Sequence, residues 1–113
     1  MSDRIIPDMP LEFIRKCILD RKILWTYHVN MRLQERHITR DQILNSLESY
    51  EILEKYPEDK HLPSYLLYAV HEAIVFHIVV AADARNENIR IVTAYYPDPN
   101  KWEQNLKTRR KNL

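Results

Sequence analysis

The chain has 113 residues, with 45% hydrophobic and 29% charged residues, which is enough for one folded domain but too little for two. Its net charge of +1 excludes a strongly basic or acidic protein, and its single cysteine excludes an internal disulfide. The absence of glycine excludes P-loops and dinucleotide-binding fingerprints, which need glycine where the backbone approaches phosphate.

The first half of the chain has the patterns of helices. Residues 10–22 carry apolar side chains at three- and four-residue steps, which predicts an amphipathic helix behind an extended arm. Residues 26–36 read as a second, short helix capped by Thr26, and residues 23–25 are either a short strand or a link to it. Thr39 and Gln42 have the spacing of a capping box, so a third helix is predicted over 39–49.

The second half changes to the alternating pattern of strands. Strands are predicted at 50–56, 65–71, 73–82 and 89–96, with a hairpin turn near Glu72. Asp98, Pro99 and Asn100 are predicted to start a last helix, which carries Trp102 and Leu106 four residues apart. We therefore predict a single α+β domain over 1–113, in which N-terminal helices pack on a twisted antiparallel sheet of about four strands and a C-terminal helix follows. Residues 1–24 form an N-terminal arm and extra helix in this prediction.

The strongest candidate for chemistry lies on the predicted second helix. His28, Arg32 and Arg36 recur at four-residue steps and so share one face, which we call the α2 ladder. Histidine is the usual general base or acid near neutral pH, and an arginine fork matches two phosphate oxygens. The alternative is a surface helix whose arginines pair with Glu35 or with the acidic stretch 50–59.

Other candidates lie on the last strands and beyond them. His77 is either a core histidine or a proton donor, and the hydroxyls of Thr93 and Tyr95 either orient a phosphate or belong to ordinary strand residues. Trp102 is either a core anchor or a base-stacking residue. The basic end of the chain, which includes Lys107 and Arg109, is a solvated terminus or a contact for a polyanion. The histidine spacing does not fit a metal site, so neither a metal nor another cofactor is expected.

Two stretches together resemble the RelE/ParE toxin superfamily. They are Thr26-x-His28-x-x-x-Arg32-x-x-x-Arg36-x-Ile38-Thr39 and Ile91-Val92-Thr93-Ala94-Tyr95-Tyr96-Pro97. Within that superfamily the chain is similar to an uncharacterised bacterial family that is often encoded beside a small zinc-ribbon antitoxin. The similarity covers roughly residues 25–109. It implies the fold predicted above, and it marks His28, Arg32, Thr93 and Tyr95 as catalytic candidates.

The resemblance implies the toxin of a type II toxin–antitoxin system. The first hypothesis is a metal-independent endoribonuclease that cleaves mRNA, in which Arg36, His77, Trp102, Lys107 and Arg109 assist in substrate binding. RNA, including ribosome-associated mRNA, and a cognate antitoxin would then be its partners. The alternative is a non-catalytic protein-binding module, such as a gyrase-type poison or a degenerate toxin. No membrane-spanning run or secretory signal is visible, so we expect a cytoplasmic protein without a membrane partner.

Overall fold

A computed structural model describes residues 4–111, and over this range the chain forms an α+β fold. The helices are α1 (Pro10–Leu19), α2 (Tyr27–Glu35) and α3 (Arg40–Asn45), followed by a single 3-10 turn (Leu47–Ser49). The strands are β1 (Ile23–Trp25), β2 (Glu51–Tyr56), β3 (Ser64–His71), β4 (Ile74–Asp83) and β5 (Asn88–Tyr95). None of the helices within 4–111 has the length and apolarity needed to cross a membrane.

The five strands form one mixed sheet in the order β1-β5-β4-β3-β2. The pairs from β2 to β5 are antiparallel, while β1 runs parallel to β5 with Ile23 opposite Ile89 and Trp25 opposite Ile91. The prediction of a purely antiparallel sheet of about four strands was therefore wrong. Three residues are too few to show an alternating pattern, so the strand character of β1 comes from its distant partner.

The predicted starts of α2 and α3 are confirmed by their caps. The Thr26 hydroxyl accepts a hydrogen bond from the Val29 amide at 3.1 Å. The Thr39–Gln42 capping box is complete, with its two bonds at 3.0 and 2.9 Å. The third helix is shorter than predicted, because the Ser46 hydroxyl donates to the Ile43 carbonyl at 3.0 Å and the chain tightens into the 3-10 turn.

The predicted hairpin between β3 and β4 is also present, although the chain has no glycine for its turn. Glu72 and Ala73 both adopt positive φ angles, of 50° and 67°. Positive φ at both central residues is the geometry of a type I′ turn, which matches the twist of the strands it joins. Neither residue type favours this region, so the turn carries backbone strain.

The sheet has two differently covered faces. The helices cover one face, where side chains such as Phe76, Ile78 and Ala94 join the hydrophobic core. His77 pairs with Tyr68 on β3 and with Tyr95 on β5, so these three side chains form a row on the opposite face, which we call the second face.

Residues 97–111, here called the C-terminal segment, pack over the second face. The predicted C-terminal helix is wrong: within the described residues the segment forms turns closed by a bridge between Trp102 and Arg109. The Asn105 side-chain oxygen accepts from the amides of Lys107 and Thr108 at 2.8 and 3.1 Å. These bonds replace the carbonyl partners that a helix would supply, and Leu106 turns the chain with a φ of 58°.

Candidate functional site

The α2 ladder begins with two exposed side chains. Val29 and Leu33 are buried in the core and fix the orientation of α2, which leaves His28 and Arg32 facing solvent. The Tyr27 ring lies edge-on to His28, with 6.4 Å between centroids. Arg32 makes one long ion pair, from Nη1 to Glu35 Oε2 at 3.6 Å, and both side chains are 58% exposed. The imidazole and this guanidinium are therefore accessible to a ligand.

Arg36, the last member of the ladder, has a different environment. Its Nη1 donates to the Thr93 hydroxyl at 2.8 Å and to the Ala94 carbonyl at 2.9 Å. Because the β1–β5 pairing ends at Ile91, these bonds fall on the stretch of β5 that β1 leaves uncovered. Arg36 thus anchors the end of α2 to β5, and Thr93 accepts this bond.

The four catalytic candidates do not converge on one point. His28 lies eight residues before Arg36, which corresponds to about 12 Å along a helix axis. Within residues 4–111 no hydrogen bond, ion pair or ring contact joins His28 or Arg32 to Thr93 or Tyr95. Only the Arg36 end of the ladder meets β5. There the Tyr96 hydroxyl also donates to the His37 carbonyl at 3.1 Å.

His77 lies at the centre of an aromatic cluster on the second face and is fully buried. Its ring centroid is 4.6 Å from that of Trp102 and 5.5 Å from that of Tyr95, both edge-on. Nε2 donates to the Leu106 carbonyl at 2.7 Å, while Nδ1 is buried and has no hydrogen-bond partner among the described residues. Burial lowers the pKa of His77, so the neutral ring is favoured. In this environment His77 holds the C-terminal segment and is closed to a substrate.

Two basic residues of the C-terminal segment, Lys107 and Arg109, pair with carboxylates of β2. Lys107 Nζ lies 2.7 Å from Glu51 Oε2 and 4.6 Å from the centre of the Tyr68 ring. Arg109 donates two hydrogen bonds to the Glu54 carboxylate, from Nε to Oε2 at 2.6 Å and from Nη2 to Oε1 at 3.1 Å.

The guanidinium of Arg109 also stacks 4.6 Å from the Trp102 ring centre. Trp102 is 3% exposed, so it serves as an anchor. In the acidic stretch 50–59, Glu51 and Glu54 pair with the C-terminal segment and not with the arginines of α2. The hydrogen bonds from Arg109 are the main cause of the lowered pKa of Glu54, and the Tyr56 hydroxyl donates to the same carboxylate.

A polar cleft of about 290 Å³ opens between the end of β5 and the C-terminal segment. It is lined by Tyr95, Tyr96, Asp98, Lys101, Trp102 and Arg109. Lys101 and Tyr96 were not among the predicted site residues, although Lys101 belongs to the basic end of the chain and Tyr96 to the polar end of the last strand. Since Tyr96 also contacts the end of α2, it connects this cleft with the ladder.

The described residues contain no group of three or more His, Cys, Asp or Glu side chains placed to hold a metal ion. Burial raises the pKa of Tyr95, which keeps its hydroxyl protonated near neutral pH. The chemistry available at the ladder and the cleft therefore comes from the His28 imidazole, several cations and protonated hydroxyls. These groups suit the binding of an anionic ligand and proton transfer at it.

Comparison with known proteins gives one family. No curated protein and no solved structure matches the chain significantly. Residues 25–96 match the family described as "Domain of unknown function (DUF4258)". The match includes the α2 ladder, Thr93 and Tyr95, and it stops before the C-terminal segment. Because it covers more than half of the 113 residues, the chain belongs to the DUF4258 family.

Proposed function

We propose that this domain is the toxin component of a bacterial type II toxin–antitoxin system and that it cleaves single-stranded RNA without a metal ion. The observation that carries the proposal is the exposed pair of His28 and Arg32, one helical turn apart on a face whose orientation the buried Val29 and Leu33 fix. A histidine beside a permanently charged fork is suited to proton transfer at a phosphate. The resemblance to RelE/ParE toxins supports RNA as the substrate.

In the proposed reaction, His28 takes the proton from a ribose 2′-hydroxyl. The 2′-oxygen then attacks the adjacent phosphorus, and the bond from phosphorus to the 5′-oxygen of the next nucleotide breaks. The products are a 2′,3′-cyclic phosphate and a 5′-hydroxyl end. Arg32 stabilises the charge that grows on the phosphate, and removal of such a donor typically costs about 3–4 kcal/mol of transition-state stabilisation. The leaving 5′-oxygen takes its proton from solvent or from the His28 imidazolium.

The rest of the RNA chain would follow the surface from the ladder to the cleft. The ladder reaches β5 through Arg36, and Tyr96 bridges its end to the cleft that Lys101 and Arg109 line. We propose that these cations hold phosphates on one side of the cleaved bond. In this scheme Arg36 and Thr93 position the strand end, while His77 and Trp102 hold the C-terminal segment in place.

Induced expression tests the proposal in cells. Wild type should arrest growth and deplete bulk RNA, whereas the His28→Gln/Arg32→Gln double variant should do neither. A His61→Gln/Lys55→Gln double variant is a matched control, since it removes an exposed imidazole and an exposed cation outside the ladder. Equal RNA loss in wild type and the ladder variant would refute the assignment of His28 and Arg32.

A second candidate function is a non-catalytic protein-binding module. Tyr27 and Met31 are 75% and 42% exposed and lie beside His28 and Arg32 on α2, and Leu24 on β1 is 48% exposed. Clustered apolar side chains of this kind are typical of protein interfaces. Growth arrest with intact RNA, abolished by Tyr27→Ser/Met31→Ser, would favour this function over the ribonuclease.

A further inference from the structure

We propose that the carboxylate of Glu54 acts as an internal substitute for an RNA phosphate at Arg109, so that an incoming phosphate group must displace it. This inference rests on the proposed function, because it takes the phosphodiester backbone of RNA as the ligand. It adds a competitor within the chain that tunes how tightly the cleft binds that ligand.

The pairing of the two side chains is the first argument. Arg109 uses Nε and Nη2 to hold both oxygens of Glu54, at 2.6 and 3.1 Å. The same planar fork binds a phosphate through two oxygens, so a carboxylate and a phosphate compete for one set of donors. The Arg109 guanidinium also stacks on the Trp102 ring, 4.6 Å from the ring centroid, and this contact holds the guanidinium in place whichever anion it binds.

The position of Arg109 is the second argument. It lines the cleft together with Lys101 and Tyr95, whereas Glu54 approaches it from β2. The Arg109 side chain is 53% exposed and that of Glu54 is only 25% exposed, so the guanidinium is open to a ligand while its present partner is mostly covered. A phosphate in the cleft therefore meets two cations and the carboxylate of Asp98, and the cation Arg109 is already neutralised by Glu54.

The exchange does not require the C-terminal segment to leave the sheet. The segment keeps the Lys107–Glu51 ion pair and the bond from His77 Nε2 to the Leu106 carbonyl, and neither involves Arg109. Glu54 also keeps the hydroxyl of Tyr56 as a donor after release. Loss of the Arg109–Glu54 pair is therefore compatible with a folded domain, and the contact can be exchanged as a local step.

Binding measurements on the full chain test the inference. The wild type, Glu54→Gln and Glu51→Gln proteins are compared in a Trp25→Phe background, which leaves Trp102 as the single tryptophan beside Arg109. The probes are a single-stranded 2′-O-methyl RNA oligonucleotide, which lacks the attacking hydroxyl, and inorganic phosphate. Trp102 fluorescence reports on the cleft, and circular dichroism checks that each variant is folded.

Glu54→Gln should bind the oligonucleotide roughly threefold to tenfold more tightly than wild type, because it removes the competing charge while keeping the size of the side chain. Glu51→Gln, which removes the same charge from the same strand but frees Lys107 outside the cleft, should change binding by less than about twofold. Inorganic phosphate should follow the same order with weaker binding. The gain should disappear in Glu54→Gln/Arg109→Gln when it is compared with Arg109→Gln alone.

Equal tightening in Glu54→Gln and Glu51→Gln would overturn the inference, since it would reflect only the change in net charge. Unchanged or weaker binding in Glu54→Gln would overturn it as well. If the oligonucleotide binds wild type but Glu54→Gln gives no gain, only this inference fails and the proposed function stands. If inorganic phosphate shows the expected gain and RNA neither binds nor is cleaved, Glu54 still competes for an anion and the proposed function fails.

Discussion

Replacing Arg36 with alanine should destabilise the fold far more than replacing Arg32, although the two residues belong to the same ladder. Arg36 loses two hydrogen bonds from one nitrogen, to the Thr93 hydroxyl and the Ala94 carbonyl. Bonds from a charged donor contribute roughly 1.5–3 kcal/mol each, and because Arg36 is partly exposed we take about 2 kcal/mol for the pair. Among residues 4–111, the only ion pair of Arg32 is the 3.6 Å contact with exposed Glu35, so its loss should cost less than about 0.5 kcal/mol.

Urea denaturation of the three proteins measures this difference directly. For a domain of this size, about 2 kcal/mol lowers the melting temperature by roughly 8 °C, so thermal melts provide a second readout. Thr93→Val should lower the free energy of unfolding by about 1 kcal/mol. The double-mutant cycle of Arg36→Ala and Thr93→Val should show a coupling of about 1 kcal/mol, because each change removes the same Arg36–Thr93 hydrogen bond. Equal stability of Arg36→Ala and Arg32→Ala would refute the division of the ladder into an anchor and an exposed pair.

Three further predictions concern the core and the hairpin. The pKa of His77 is lowered in the folded state, so the unfolded chain binds a proton at this residue first as the pH falls. The free energy of unfolding should therefore decrease below about pH 6.5. The variant His77→Phe should make this decrease smaller in urea titrations between pH 7 and 5.5. Ala73→Gly should raise the free energy of unfolding by about 0.5–1 kcal/mol, because glycine adopts φ 67° without strain, whereas the same change at Ala69 in β3 should lower it. Tyr50→Phe should cost about 1 kcal/mol in the same assay, since the buried hydroxyl donates to the Ile43 carbonyl at 2.6 Å.

Local patterns predicted much of the fold. Caps act over three residues, so Thr26 and Thr39 could be identified from their neighbours alone. The hairpin near Glu72 was visible because two long apolar runs with alternating neighbours flank a single break. By contrast, the sequence left residues 23–25 as either a short strand or a link, and the pairing with β5, 66 residues away, decides for the strand.

The candidate site was predicted less completely than the fold. Helical spacing placed His28 and Arg32 one turn apart on α2, but it could not show that Arg36, just past the end of the helix, meets Thr93 on another element. The prediction of a C-terminal helix was wrong. The spacing of Trp102 and Leu106 favours a helix, but the Asn105 side chain closes a turn there by accepting from the amides of Lys107 and Thr108. The pairing of the C-terminal segment's cations with Glu51 and Glu54 follows from that fold, and so the cleft beside Arg109 was not foreseen.

The most direct test of the proposed function is cleavage of a single-stranded RNA oligonucleotide by purified protein in the presence of EDTA. We expect fragments that end in a 2′,3′-cyclic phosphate and a 5′-hydroxyl from the wild type, and a loss of at least about a hundredfold in rate from His28→Gln. The His61→Gln control should cleave at the wild-type rate. Intact RNA after incubation with folded wild-type protein, or equal cleavage by His28→Gln, would contradict the proposed ribonuclease.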